Sequence, residues 1–373
     1  MAFLFEQYAT EARSRGRSEE FVQTTLAYAN KLDKKGLPVI FTVHHFAVLV
    51  GMPSRVIDRI VYFRDHQYQQ FKIKKRSGDG FRLIRTPEKK LRYLQRWINK
   101  NILQKVPLLD CCTGFVPGTS LATNGYLHRN ASRLLKIDLL KFFDTITEKR
   151  VYGFFLYLGY HPNVAFHLAR LTTAAPTTEF WNSLSLEEMR RIGERILFTD
   201  AVLPQGAPSS PQLANCIANS LDHRLLKLSQ SLNCRFSRYA DDIVFSIDTE
   251  GGEIPKFGLV KRIIESEGFF VNERKTMYVK RGMKQIVTGL TVTHGFHIPK
   301  NNRQEVYKHL YYARKYGPGN HLKHWIKDND LEQDVIYGFR DWLLGTIAFI
   351  SSIDHKNGRK MMVQFNKIYW GFE

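Results

Sequence analysis

Apolar residues in the first 66 positions cluster as Phe46-Ala47-Val48-Leu49-Val50 and Val56-Ile57…Ile60-Val61, and this spacing predicts helices. Between residues 69 and 87 the character changes. Gln70 to Arg76 and Phe81 to Arg85 read as strands, Ser77-Gly78-Asp79-Gly80 as the turn between them, and Pro87 as a stop. Leu91, Leu94, Ile98 and Ile102 then form a helical stripe. Leu134 to Leu139, apolar on both sides of Lys136, predicts a buried strand; Thr147 caps the next helix and Gly159 ends it. Residues 160–200 read as mostly helical. The run Leu203 to Pro211 breaks the pattern. It hands over to a helix with Ser210 as N-cap, Pro211 at its first position and Leu213, Ile217, Leu221 and Leu225 facing inward. Arg235 to Ile247 predicts two strands around a tight bend, with Ile243, Phe245 and Ile247 alternating. A helix at Val260 to Glu267 and strands at Gly268 to Thr276 and Gln285 to Val292 follow. Helices fill the last ~70 residues, with Val335, Ile336, Phe339 and Leu343 as one stripe.

Composition changes the picture in one respect. The 373 residues, 43% hydrophobic, suffice for a large core and two or three subdomains. The charge is the informative part: 55 Lys and Arg against 35 Asp and Glu give +20, which implies a polyanionic partner. Eleven basic residues lie between Lys72 and Lys100 against Asp79 and Glu88 alone. A hairpin and helix so loaded read as a phosphate-binding surface rather than a merely solvated face. No apolar run approaches the ~18 residues of a membrane span, Leu343 to Ile350 being among the longest, and Glu6 spoils a signal peptide. Cys111, Cys112, Cys216 and Cys234 show no metal or CxxC spacing, so they read as reduced thiols of a cytoplasmic protein.

The chemistry concentrates in carboxylates. Asp241 and Asp242 sit side by side in the bend of Tyr239-Ala240-Asp241-Asp242, and Asp138 ends a buried strand. A solvated turn would explain the pair alone. A buried-strand Asp is costly unless paired, hydrogen-bonded or metal-bound. Three such groups on adjacent strands can hold two divalent ions, which activate an attacking oxygen and stabilise a leaving one in phosphoryl displacement. Gln205, held ahead of a helix by Gly206-Ala207-Pro208, is placed to bond a ligand, or is a plain loop-to-helix junction. His128 alone reads as a structural histidine. No Ser or Cys nucleophile stands beside a base, which excludes the common hydrolases.

Taken in order, Asp138 with Phe142-Phe143, Leu203-Pro204-Gln205-Gly206, Tyr239-Ala240-Asp241-Asp242 and Gly268…Lys275-Thr276 resemble the reverse transcriptase palm. Asn124-Gly125-Tyr126-Leu127-His128 and Val287-Thr288-Gly289 narrow the resemblance to bacterial retron reverse transcriptases, over roughly residues 65–355. Gly125 departs from the alanine usual in that element. The resemblance implies an α+β fold of right-hand polymerase architecture. Its expected parts are an N-terminal helical extension (1–66), fingers (67–135), a palm (136–295, with fingers-side helices at about 160–200) and a helical thumb (296–373).

By the same resemblance, Asp138, Asp241 and Asp242, with the Leu139 carbonyl, hold two Mg²⁺. Phe143 excludes a 2′-hydroxyl, Gln205 touches the nucleotide sugar, and Arg82, with Lys74 behind it, meets the triphosphate. Lys275 protonates pyrophosphate and Tyr239 seats the primer end. Asn124, His128, Val287, Thr288, Gly289 and the thumb read the RNA. The implied reaction is copying of a cognate non-coding RNA into branched single-stranded DNA from dNTPs, primed by an internal guanosine 2′-hydroxyl. An effector protein of the same operon, a role in anti-phage defence and a host ribonuclease H complete the expectation, since little chain remains for a nuclease domain. The rival readings are another bacterial reverse transcriptase of group II intron type, a non-catalytic RNA-binding protein on the same fold, and an RNA-dependent RNA polymerase.

Overall fold

The computed structural model describes residues 3–74, 81–197, 199–248, 252–329 and 335–371, with the side chains of Lys74, 328–329 and 335–337 outside that description. The chain opens with helices α1 (Phe5–Ser14), α2 (Glu19–Asp33), α3 (Val43–Leu49) and α4 (Ser54–Tyr62). The hydroxyls of Ser18 and Thr42 accept the backbone N–H of Phe21 and His45, capping α2 and α3. Strands β1 (Tyr68–Lys74) and β2 (Phe81–Pro87) pair antiparallel as the pattern predicts; the Ser77–Gly80 turn lies outside the described residues. Helix α5 (Lys89–Asn101) buries Leu91, Leu94 and Ile98, and α6 is Leu121–Leu127.

The central sheet begins with β3 (Arg133–Leu139), where Leu134, Leu135, Ile137 and Leu139 are buried. Helices α7 (Glu148–Leu158), α8 (Pro162–Thr172), α9 (Thr178–Asn182), α10 (Leu186–Gly193) and the long α11 (Ser210–Ser231) intervene. Thr147 stands at the cap position of α7 but its side chain makes no capping bond, and Gly159, at φ +113°, ends the helix. At α11 the expectation needs correction: Ser209 is the capping residue, with helical φ/ψ and no side-chain bond, and Ser210 is already inside the helix.

Strands β4 (Arg235–Tyr239) and β5 (Asp242–Ile247) form the bent hairpin; α12 (Phe257–Ser266) leads to β6 (Val271–Lys280). The sheet is antiparallel in the order β4-β5-β3-β6, so β6 is an outer strand, and Glu273, Arg274, Lys275, Met277 and Tyr278 along it are exposed. The strand expected at Gln285 to Val292 is instead a tiny hairpin. Its two strands, β7 (Ile286–Val287) and β8 (Leu290–Thr291), are joined by Thr288 at φ +46° and Gly289 at +81°. Positive φ at both turn residues gives the strand twist that a two-residue hairpin needs.

Helices α13 (Lys300–Tyr316), α14 (Pro318–Asn329), α15 (Val335–Ile353) and α16 (His355–Phe365) end the fold. The hydrophobic interior is divided. One cluster runs from Ala29 through α5, the sheet and α11 to Val271; a second, with Leu310, Phe339, Leu343, Ile347 and Met361, belongs to the last four helices. Helices α2 to α4 share the first cluster, while Ala9 and Ala12 of α1 pack with Val22 in a small one of their own. Hydrogen bonds from Lys35 Nζ to the Leu158 carbonyl (2.9 Å) and from the Tyr160 hydroxyl to the Pro38 carbonyl (3.2 Å) tie this region to the rest. No helix among the described residues is long and apolar enough to cross a membrane.

Candidate active site

The register of the central sheet decides what meets what. Asp138 on β3 lies opposite Asp242 on β5 and opposite Asn272 on β6. The Leu139 N–H donates to the Asp241 carbonyl at 2.9 Å, so the bend is stitched to the end of β3. Residues 138, 241 and 242, distant in sequence, therefore form one acidic edge.

Its charge is only partly balanced. Lys275 Nζ reaches the Asp138 carboxylate at 3.2 Å, Asn272 Nδ2 donates to it at 3.0 Å, and Lys136 Nζ lies 3.2 Å from Asp242. No cation pairs with Asp241 among the described residues. Burial, then repulsion from Asp138 and Asp242, pushes its carboxyl up to about 6. Asp138 is raised too, by burial first, with Lys275 opposing. Among the described residues no group of three or more His, Cys, Asp or Glu side chains is arranged to hold a metal ion as it stands. Two lysines against three carboxylates leave a deficit of positive charge, and an all-oxygen donor set suits a hard divalent cation. On that ground the donor chemistry of these residues fits a hard divalent cation.

The bend itself is held from below. Ala240 sits at φ +56°, a conformation disfavoured for a residue with a Cβ. Arg238, wholly buried, donates Nε and Nη2 to the two Asp222 oxygens, both at 2.6 Å. Its Nη1 donates to the Ala240 carbonyl (3.1 Å) and to Asn215 Oδ1 (3.0 Å). On the other side the segment 111–114 runs beside β4: Arg238 N–H donates to the Cys111 carbonyl and Thr113 N–H to the Arg238 carbonyl. Gly114 has no room for a side chain there, since a Cβ would lie 2.5 Å from the Ala240 nitrogen.

Three rings flank the acids. Phe115 stands 6.1 Å from Tyr239 and 6.2 Å from Phe143, so the two predicted aromatics are joined through one the sequence pattern did not single out. The Gln205 carbonyl accepts the Arg85 N–H at 2.7 Å, which ties its loop to β2. Arg82, three residues nearer the hairpin tip, is exposed and makes no hydrogen bond or ion pair with the acids among the described residues. Lys74 has its backbone in β1, and its side chain is outside the described residues.

Two sets of residues depart from the expected RNA-reading role. Asn124 and His128 are fully buried. His128 bonds Ser246 through Nδ1 and Ser237 through Nε2, each at 2.7 Å, while Asn124 Oδ1 accepts from Ser237 (2.6 Å) and Thr113 (3.0 Å). Their polar atoms are turned inward onto β4 and β5, so neither side chain presents itself to RNA. Val287 is buried as well; the half-buried Thr288, whose hydroxyl donates to the Leu121 carbonyl, and the exposed Gly289 remain at the surface. The His128 reading as a structural histidine, made from the residue alone, is the one the geometry matches. Lys136, Asn272, Gly114 and the Arg238–Asp222 pair were not singled out. Only Lys136, a lone charge in an apolar strand facing a predicted acid, carried a signal.

The family described as reverse transcriptase (RNA-dependent DNA polymerase) matches residues 73–294. Two Myxococcus xanthus proteins, the retron Mx65 and retron Mx162 reverse transcriptases, are 34% and 30% identical over 76% and 81% of this chain. The chain spans 65% and 61% of their lengths. The Escherichia coli retron Ec86 reverse transcriptase is 27% identical over 94% of this chain and 95% of that protein. The mixed helices and antiparallel sheet fit the right-hand polymerase architecture expected of such relatives.

Proposed function

The chain belongs to the reverse transcriptase family, and from that premise we propose that it is a retron-type RNA-directed DNA polymerase. The reading is carried by one observation: the sheet register that sets Asp138 against Asp242, with the under-neutralised Asp241 beside them.

Asp138, Asp241 and Asp242, with the Leu139 carbonyl, would hold two Mg²⁺; the ions supply activation of the primer hydroxyl and neutralisation of phosphoryl charge. The chain's own groups do the rest. Lys275, its side chain 65% exposed and 3.2 Å from Asp138, is free to swing toward the departing pyrophosphate as a proton donor. Phe143, half-buried against Phe142 and Phe115, presents a ring whose bulk rejects a 2′-hydroxyl. Gln205, with its loop fixed to β2, contacts the sugar, and Arg82 on the same strand pair meets the triphosphate. Tyr239 seats the primer end. The Thr288-Gly289 tip and the basic faces of α13–α16 receive the structured RNA, by shape and 2′-hydroxyl contacts more than base edges. The product is branched single-stranded DNA grown from an internal guanosine 2′-hydroxyl. An operon-encoded effector, a defence role and removal of template by a host ribonuclease H complete the proposal.

The test is synthesis by the purified protein on its co-expressed RNA. A labelled DNA joined to RNA through a bond that debranching enzyme cleaves is the expected product. A linear product primed from a 3′-hydroxyl would leave the polymerase and sink the retron type. Phe143→Ala should admit ribonucleotides at the expense of selectivity, as read by competing the two nucleotide types; unchanged selectivity would remove the steric role.

A further inference from the structure

We propose that Arg238 is a positioning residue for the Asp241-Asp242 bend, acting through its ion pair with Asp222 on α11. The proposal deepens the polymerase reading and rests on it.

A buried Arg–Asp pair is complete with two parallel bonds, and Nε and Nη2 of Arg238 make both with Asp222 at 2.6 Å. The third arm is the informative one. Nη1 donates at 3.1 Å to the carbonyl of Ala240, the residue whose left-handed backbone turns the chain between Tyr239 and the two acids. A conformation disfavoured in isolation persists only where its surroundings dictate it. Arg238 does so from three directions. Its guanidinium lies 5.7 Å from the Phe142 ring, on the loop that follows Asp138, and Nη2 lies 3.3 Å from Cys112 Sγ. Asn215 bridges Nη1 to the Gly114 carbonyl (2.7 Å), and Gly114 abuts the Ala240 nitrogen. The loop after β3, the 111–114 segment, α11 and the bend thus meet at one guanidinium, so both halves of the acidic edge take their relative placement from it.

An ion pair kept only for burial would behave differently. Such pairs are replaceable by apolar residues of similar volume without loss of fold. The decisive variant is therefore Arg238→Met with Asp222→Leu, made in the full chain. The expected result is a melting temperature close to wild type, unchanged RNA affinity, and single-turnover nucleotide incorporation slowed about a hundredfold, the scale of a ~1 Å misplacement. Mn²⁺ affinity, read from the free-ion electron paramagnetic resonance signal without any turnover, should weaken about tenfold. A double variant with wild-type rate and Mn²⁺ affinity overturns the proposal. Arg238→Lys is the second variant, keeping the charge against Asp222 but unable to reach Ala240 and Asn215 as well. It should melt normally and work slowly; normal incorporation again overturns the proposal. Losses of melting temperature and rate that rise and fall together across both variants also overturn it, because they mark a structural pair alone. If the wild-type protein makes no DNA, the polymerase reading fails instead, and Mn²⁺ affinity in the variants still decides whether the bend is misplaced.

Discussion

Two polar clusters lie on the β4–β5 hairpin, one joined there by the end of β3 and the other by α6, and they are opposites. At one, three carboxylates meet two lysines, no cation pairs directly with Asp241 among the described residues, and its carboxyl is pushed up to about 6 by burial and by Asp138 and Asp242. At the other, inside the fold, the imidazole of His128 lies between two serine hydroxyls at 2.7 Å and is pushed down to about 3 by burial, with Arg235 adding to it. A neutral imidazole donates through one nitrogen and accepts through the other, so both its atoms are answered. The first cluster is incomplete without something from solution. In the second the imidazole needs nothing, and only the Nδ2 of the neighbouring Asn124 is left without a partner among the described residues. That difference in satisfaction, rather than the rarity of either motif, separates reactive groups from braces.

The comparison can be broken most severely at the acids. Asp241→Asn with Asp242→Asn should lower DNA synthesis by ~10³-fold or more while thermal unfolding stays level or improves, because repulsion is relieved. Retained synthesis would place the chemistry elsewhere. His128→Ala should do the reverse. It leaves Ser237 and Ser246 without their buried partner and opens a cavity, costing about 2–4 kcal/mol in urea unfolding, yet the folded fraction should polymerise normally. A specific loss of RNA affinity at full stability would instead restore a reading role to that residue.

Acid should sharpen the contrast by a smaller amount. His128 binds its proton near 6.5 when unfolded and only near 3 when folded, so between those values the unfolded chain holds more protons. The stabilisation is whole above pH ~6.5 and falls by about 1.4 kcal/mol per unit of pH below it. His309, pushed down to about 4 by burial, adds in the same direction. Urea midpoints between pH 7.5 and 5 measure the slope, and His128→Gln should flatten part of it; an identical slope would deny the buried neutral state. The mildest change is Gly125→Ala. The new Cβ would lie 3.0 Å from Leu290 Cδ1, a shift of tenths of an ångström that should keep the melting temperature within a few degrees, about 1 kcal/mol or less.

What could be read beforehand followed from periodicity. The Leu134–Leu139 strand, the bend at 239–242, the β1–β2 pair and the α5 stripe are each written in local spacing, and all are present. The short hairpin at 286–291 was misread as one strand because two-residue strands leave no alternation to detect. The carboxylate trio was legible since its members end or join recognisable strands. The brace beneath was not: Arg238, Asp222 and Asn215 lie on two different elements, and Gly114 matters only because a backbone from 126 residues onward (240 − 114) presses against it. Burial of Asn124 and His128 was hidden for the same reason, since a short helix does not announce which sheet it will face.

The outer strand β6 carries a last implication. The opposite border of the sheet is shielded by the 111–114 segment running beside β4, through the Cys112–Arg238 bridge. On the β6 side no further strand pairs among the described residues, and Glu273, Arg274, Lys275 and Lys280 stud the exposed rim. Unguarded rims invite strands from neighbouring molecules, and charge deters them. Lys275 therefore has two tasks: it attends Asp138, and its charge helps keep the outer strand from pairing with another copy of the chain.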